Sequence, residues 1–199
     1  MSSRITSASA NTSGGGGWKC GAAPVERTVA LQELDLLVPK GQVLGITGQN
    51  GAGKSTLLKV IAGVVAPTSG SVTVQGRVGS MIDLGVGFHP QLTGRENVLC
   101  TAVLLGLSQR SARELVGAVA EFAGLVNELD LPVRQYSTGM RARLGFATAT
   151  HVDAEVLAVD EVLAVGDAQF QERCFRRIRR LVNGGATVLV ASHDLTMLN

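Results

Sequence analysis

Gly48-Gln49-Asn50-Gly51-Ala52-Gly53-Lys54-Ser55 has the spacing G-x-x-x-x-G-K-[ST]. Its glycines let successive backbone N–H groups turn inward around phosphate oxygens, and a helix opening at Lys54 or Ser55 adds its dipole. Lys54 is spaced to reach β- and γ-phosphates, and Ser55 to put a hydroxyl on Mg²⁺; Thr56 is grouped with these nucleotide-binding residues. Alone, the loop says only that a nucleoside triphosphate is bound. Two further places carry chemistry. Asp160-Glu161 closes the apolar run Val156-Leu157-Ala158-Val159, and adjacent acids beside a buried strand are costly unless they face a pocket or a cation. Asp160 suits Mg²⁺, and Glu161 is placed to orient or deprotonate an attacking water. Tyr136-Ser137-Thr138-Gly139-Met140 is a short Ser-x-Gly turn opening a helix, where exposed N–H groups favour an anion.

These residues need strands and helices to hold them. Val43-Leu44-Gly45-Ile46-Thr47 is an apolar run, read as the buried strand before the phosphate loop, with a helix after it to about Ala62. Thr28 to Val38 reads as an earlier strand ending at Pro39-Lys40-Gly41, and Ser71–Gln75 and Arg77–Ile82 as two short ones after the turn Pro67-Thr68-Ser69-Gly70. Thr93 to about Asn127 reads as a helical segment with a capping box at Thr93 and Glu96. A helix from Ser137 to about Thr150, the strand before Asp160, a helix over roughly Gln169–Val182 and the strand Thr187–Ala191 complete the order. Strand–helix alternation with continuously apolar strands predicts an α/β fold, a mainly parallel sheet covered on both faces.

Composition narrows the class. A length of 199 residues fits one domain, and a net charge of +2 gives no reason to expect nucleic acid. No apolar run reaches membrane-span length, so a membrane role needs a partner, and the start lacks a signal-peptide pattern. Cys20, Cys100 and Cys174 are scattered without metal spacing and read as reduced packing thiols. Arg173, Arg176, Arg177, Arg179 and Arg180 read as a solvated helix face. Residues 1–23, rich in Ser, Thr, Ala and Gly, are expected to be flexible.

From about Val29 onward the order of these elements resembles the ATP-binding cassette (ABC) subunits of transporters, with the P-loop NTPase fold. Within that family it is similar to the polysaccharide and O-antigen export branch (lipopolysaccharide and teichoic acid type). The resemblance rests on Leu84-Gly85-Val86-Gly87-Phe88-His89-Pro90-Gln91-Leu92-Thr93-Gly94-Arg95-Glu96-Asn97, on Tyr136–Met140 where most members carry Leu-Ser-Gly-Gly-Gln, and on Asp160-Glu161-Val162-Leu163-Ala164-Val165-Gly166-Asp167. It implies a homodimer closing head-to-tail over two ATP molecules, with Ser137 and Gly139 of one copy on the nucleotide held by Lys54 of the other. It also implies that Ala164-Val165-Gly166-Asp167 is the D-loop, with Asp167 beside the nucleotide, and that His193 is the switch histidine; without the resemblance, a lone His is more often structural. The implied activity is ATP hydrolysis with Mg²⁺. The implied partner is a membrane permease exporting a lipid-linked polysaccharide, with this subunit peripheral on the cytoplasmic face of the inner membrane.

Three departures stand out. Asp83 or Leu84 stands where most cassette ATPases have a glutamine; no aromatic precedes Val29-Ala30-Leu31 to stack on adenine, and Trp18 is not assigned that role; and the chain stops at Asn199, where the family continues. The expected organisation is a flexible 1–23, an ATP-binding domain over 24–199 with a helical subdomain at about 93–135, and truncation after His193. A nucleotide-binding regulatory subunit and a non-transport ABC ATPase are the alternatives.

Overall fold

A computed structural model describes residues 3–6, 29–81, 87–160 and 166–191. In chain order its strands are Ser3–Thr6 (β1), Leu36–Val38 (β2), Val43–Ile46 (β3), Ser71–Val72 (β4), Val78–Met81 (β5), Val156–Val159 (β6) and Thr187–Ala191 (β7). Its α-helices are Lys54–Ile61 (α1), Gly94–Leu104 (α2), Gln109–Ala123 (α3), Thr138–His151 (α4) and Ala168–Asn183 (α5).

Parallel strands buried on both faces require unbroken apolar runs, and β6 and β7 supply them: every residue of both is buried. They form the middle of a four-stranded parallel sheet in the order β3-β7-β6-β5. Strand alternation sends successive side chains to opposite faces. Val156, Ala158, Leu189 and Ala191 meet Leu57, Leu58 and Ile61 of α1 on one side. Leu157, Val159, Val188 and Val190 meet Phe146 of α4 and Phe170 and Ile178 of α5 on the other. The α/β layering expected from the sequence is present.

A second sheet was not foreseen. β1 lies between β2 and β4, antiparallel to both, pairing Arg4 with Leu37 and Ile5 with Val72. Ser3–Thr6 therefore departs from the flexible segment expected over residues 1–23; the rest of that segment, Trp18 included, lies outside the described residues. Ordering comes from ladder hydrogen bonds to two distant strands, which local composition does not register. Among the described residues, the strand expected from Thr28 to Val38 is limited to Leu36–Val38, and those at 71–75 and 77–82 to β4 and β5. Likewise the helical segment from Thr93 breaks into α2 and α3. Gly106 takes φ 92°, and Ser108 accepts a hydrogen bond from the Ser111 N–H to restart the helix.

α2, α3 and the first half of α4 enclose their own core of Val98, Val116, Val119, Ala123, Tyr136 and Leu144. Phe122 of α3 joins this layer to the sheet. Its ring stacks on Phe146 at 5.9 Å and meets Phe170 edge-on at 5.8 Å, while Arg173 sits 5.0 Å from its centre.

Candidate functional site

The phosphate loop is built almost wholly from backbone. Gly48, Gly51 and Gly53 have φ of 157°, 82° and 88°. At Gly53 the requirement is double: the left-handed backbone disfavours any side chain, and a Cβ would fall on the Ala30 carbonyl and within 2.9 Å of Leu31. The chain at 30–31 thus closes over the loop. Lys54 folds back across it, its Nζ donating to the Gly48 and Gln49 carbonyls at 2.8 and 3.0 Å. Thr47, Gly48, Gln49 and Asn50 line an open depression in front of these groups.

α1 begins at this point with no side-chain cap and no acid in its first turn. Every other α-helix among the described residues is capped, by Thr93, Ser108, Ser137 and Asp167 respectively. A helix start leaves N–H groups without backbone acceptors. Here they are left to the glycine loop and to whatever anion enters it, which suits Gly48 to Thr56 as a phosphate cradle.

Asp160 follows β6 and is 9 % exposed. Register places Ile46 opposite Ala191 and Val159 opposite Val190, so β3, β7 and β6 end along one edge. Asp160 therefore lies two strands from the phosphate loop, about 10 Å across the sheet. Ligands of open α/β sheets collect at this carboxyl edge. Ser55 and Asp160 give one hydroxyl and one carboxylate, and no cluster of three His, Cys, Asp or Glu occurs among the described residues. That donor set fits Mg²⁺, which commonly keeps few protein ligands and completes its shell with phosphate oxygens and water. Glu161, His193, Asp83, Leu84 and the loop residues 84–86 and 162–165 lie outside the described residues.

The second turn sits at the start of α4. Ser137 Oγ accepts the Met140 N–H at 3.1 Å, and Ser137, Thr138 and Gly139 are exposed. A hydroxyl that accepts from its own helix still has its proton to donate outward. Asp167 caps α5, Oδ1 accepting the Phe170 N–H at 2.8 Å, so a structural duty accompanies the role expected of it.

Sequence reasoning missed what holds the second turn. Tyr136, 4 % exposed, donates its hydroxyl to the Glu128 carbonyl at 2.7 Å. Burial, then the charges of Glu128 and Asp130, push this phenol above its ordinary pKa, which keeps it a donor. Asn97, 2 % exposed, ties the preceding loop together: its Nδ2 donates to the carbonyls of His89, Leu92 and Thr93, and its Oδ1 accepts the His89 N–H at 2.7 Å. The expected capping box is formed, with Glu96 held below its ordinary pKa by the Thr93 backbone and hydroxyl donors. The available sequence signal was the position of Asn97, one residue past that box.

Comparison with known proteins agrees with this geometry. A dimeric post-hydrolysis structure of the ATP-binding cassette MJ0796 bound to ADP and Pi superposes with a TM-score of 0.78 at 21 % identity, covering 99 % of this chain and 90 % of that one. The O-antigen export system ATP-binding protein RfbB of Klebsiella pneumoniae is 46 % identical over 84 % of this chain and 68 % of its own length. The teichoic acids export ATP-binding protein TagH of Bacillus cereus is 38 % identical over 85 % of this chain, which spans 31 % of that relative. Residues 31–164 match the ABC transporter family model. The chain belongs to the ABC transporter family.

Proposed function

We propose that the chain is the ATP-binding and hydrolysing subunit of an ABC exporter, driving a lipid-linked polysaccharide across the cytoplasmic membrane through a separate permease. The uncapped start of α1 beneath the Gly48–Lys54 loop, on the same sheet edge as Asp160, carries this reading. Similarity to proteins named for O-antigen and teichoic acid export supports the cargo class.

In this reading Gly48 to Thr56 cradle the phosphates, and Lys54 leaves its two carbonyls for the β- and γ-phosphates. Mg²⁺, when bound with ATP, neutralises phosphate charge during transfer to water. Ser55 and Asp160 would hold it. Glu161 orients or deprotonates the attacking water, and His193 reaches the γ-phosphate. Ser137 and Gly139 act in trans across a head-to-tail homodimer, with Asp167 beside the nucleotide. The subunit, comprising an ATP-binding domain over 24–199 with a helical part at about 93–135, works at the cytoplasmic face of the membrane against its permease.

The test compares ATP hydrolysis by the wild type and Glu161→Gln. Hydrolysis is expected to be lost in the variant by about 10²–10³-fold while ATP binding persists. Unchanged hydrolysis in Glu161→Gln, or no ATP binding by either protein, rejects the assignment. Recovery of a permease on co-purification tests the transport role.

A further inference from the structure

We infer that Tyr136 is a positioning residue for the Ser137 turn, made possible by the glycine at position 94. This rests on the ATP-bridged homodimer proposed above, in which Ser137 acts on a partner's nucleotide.

Gly94 is the first residue of α2, and its backbone does not demand glycine: it is absent from the positive-φ positions. Glycine in a helix is otherwise a liability. Space accounts for it. A Cβ at 94 would fall on the Tyr136 hydroxyl, and would lie 3.1 Å from the Leu129 carbonyl and 3.2 Å from Tyr136 Cζ. The missing methyl is the volume the phenol occupies.

Tyr136 directly precedes Ser137, the cap of α4. The residue before a cap fixes the angle at which the chain enters the helix. Its ring is buried and its hydroxyl pinned to Glu128, so this angle is set against the start of α2 and the segment around 128. Those two pieces are themselves joined. Gly94 and Arg95 donate backbone N–H groups to the Leu131 and Leu129 carbonyls, and Val133 and Arg134 donate to Leu92 and Pro90. Arg95 and Asp130 add a two-point side-chain contact at 2.7 and 3.1 Å. A displacement of the chain at 90–95 is therefore delivered to Ser137 through Tyr136.

The test is a double-mutant cycle on the 199-residue chain, with Ser137→Arg as a control, reading kcat, KM for ATP, nucleotide binding and thermal melting. Tyr136→Phe removes the hydroxyl bond and is expected to lower kcat by about threefold to tenfold, with KM and nucleotide affinity unchanged. Gly94→Ala is expected to lower kcat by about tenfold or more. Gly94→Ala with Tyr136→Phe is expected to be faster than Gly94→Ala alone, because the colliding hydroxyl is gone. Tyr136→Phe thus harms the wild type and helps the Gly94→Ala variant. Additive losses in the double variant, or kcat losses that track KM and melting temperature, overturn the inference. If Ser137→Arg stops hydrolysis while Tyr136→Phe and Gly94→Ala both keep kcat within about twofold, positioning fails and the dimer reading stands. If Ser137→Arg hydrolyses ATP normally, the dimer reading falls and this inference falls with it.

Discussion

The starts of α1 and α4, the two phosphate contacts proposed above, are built by opposite means. At α1 no side chain among the described residues caps the helix, and three glycines with positive φ wrap its open end. At α4 the serine caps its own helix, and the turn is held from behind by a buried tyrosine and a core of helices. The first site is local: its shape is written in eight consecutive residues. The second is tertiary, and its precision depends on Gly94, Glu128 and the packing around them. In the proposed dimer, a subunit that grips its own nucleotide with the first turn and reaches for another's with the second would gain from this division.

The sharpest way to break the comparison is to disable each end in turn. Lys54→Ala should reduce both nucleotide affinity and hydrolysis, with kcat/KM down by about 10²–10³-fold. Ser137→Arg should abolish hydrolysis while binding of a fluorescent ATP analogue to the isolated subunit stays near wild type. If binding falls in both, the two sites are not separable as described.

A smaller effect tests whether the two regions are joined at Phe122. Phe122→Ala removes the ring shared by Phe146, Phe170, His151 and Arg173, and should destabilise the chain by about 3 kcal/mol in urea unfolding. Hydrogen exchange should rise in α3 more than in β6 and β7. Equal loosening of both regions would erase the distinction between them.

The mildest probe is pH. His151 is half-buried at this joint, and burial above all, aided by nearby Arg177, holds its pKa below the ordinary value, against the Ala147 carbonyl that favours the charged form. A histidine with a depressed folded pKa takes up protons more readily when unfolded, so its contribution is present above about pH 6.5 and is lost as pH falls towards the folded value. Glu96 and Asp130 are also depressed, by the Thr93 donors and by Arg95 respectively, so their smaller contributions are lost only below the ordinary carboxylate range of about 4. Melting temperature should decline in two steps on acidification. His151→Asn should remove the first step and leave the second.

Much of this is legible in the sequence. The phosphate loop and the strands β6 and β7 announce themselves through glycine spacing and continuous apolar runs. β3, read as buried from its apolar run, forms where expected but lies half exposed at the sheet edge, with Val43 40 % exposed. The Thr93 capping box was equally plain, since both partners lie within four residues. What stayed hidden was pairwise and distant. β1 becomes a strand only through Leu36–Val38 and Ser71–Val72, far along the chain. Tyr136 served as a family mark, and its bond to Glu128 and its contact with Gly94 emerged only from the fold. The break at Gly106–Ser108 was visible in principle as a glycine followed by a capping serine, but the apolar periodicity running through it outweighed that signal.

α4 is also a lever. Its 14 residues make a rod about 21 Å long, with Phe146 and Ala149 packed among the sheet-side core and exposed Ser137 at the other end, beside the helical core. A tilt of roughly 10° about the buried end would carry Ser137 through about 3–4 Å, comparable to the length of one hydrogen bond. No bond within the helix has to break for that swing. In the proposed dimer, a swing of that size, made by α4 together with the helical core that holds Tyr136, would make or break the contact with a neighbour's nucleotide. Thr148 and Thr150, each bonded back to a carbonyl of the preceding turn, leave the buried end without unpaired hydroxyls.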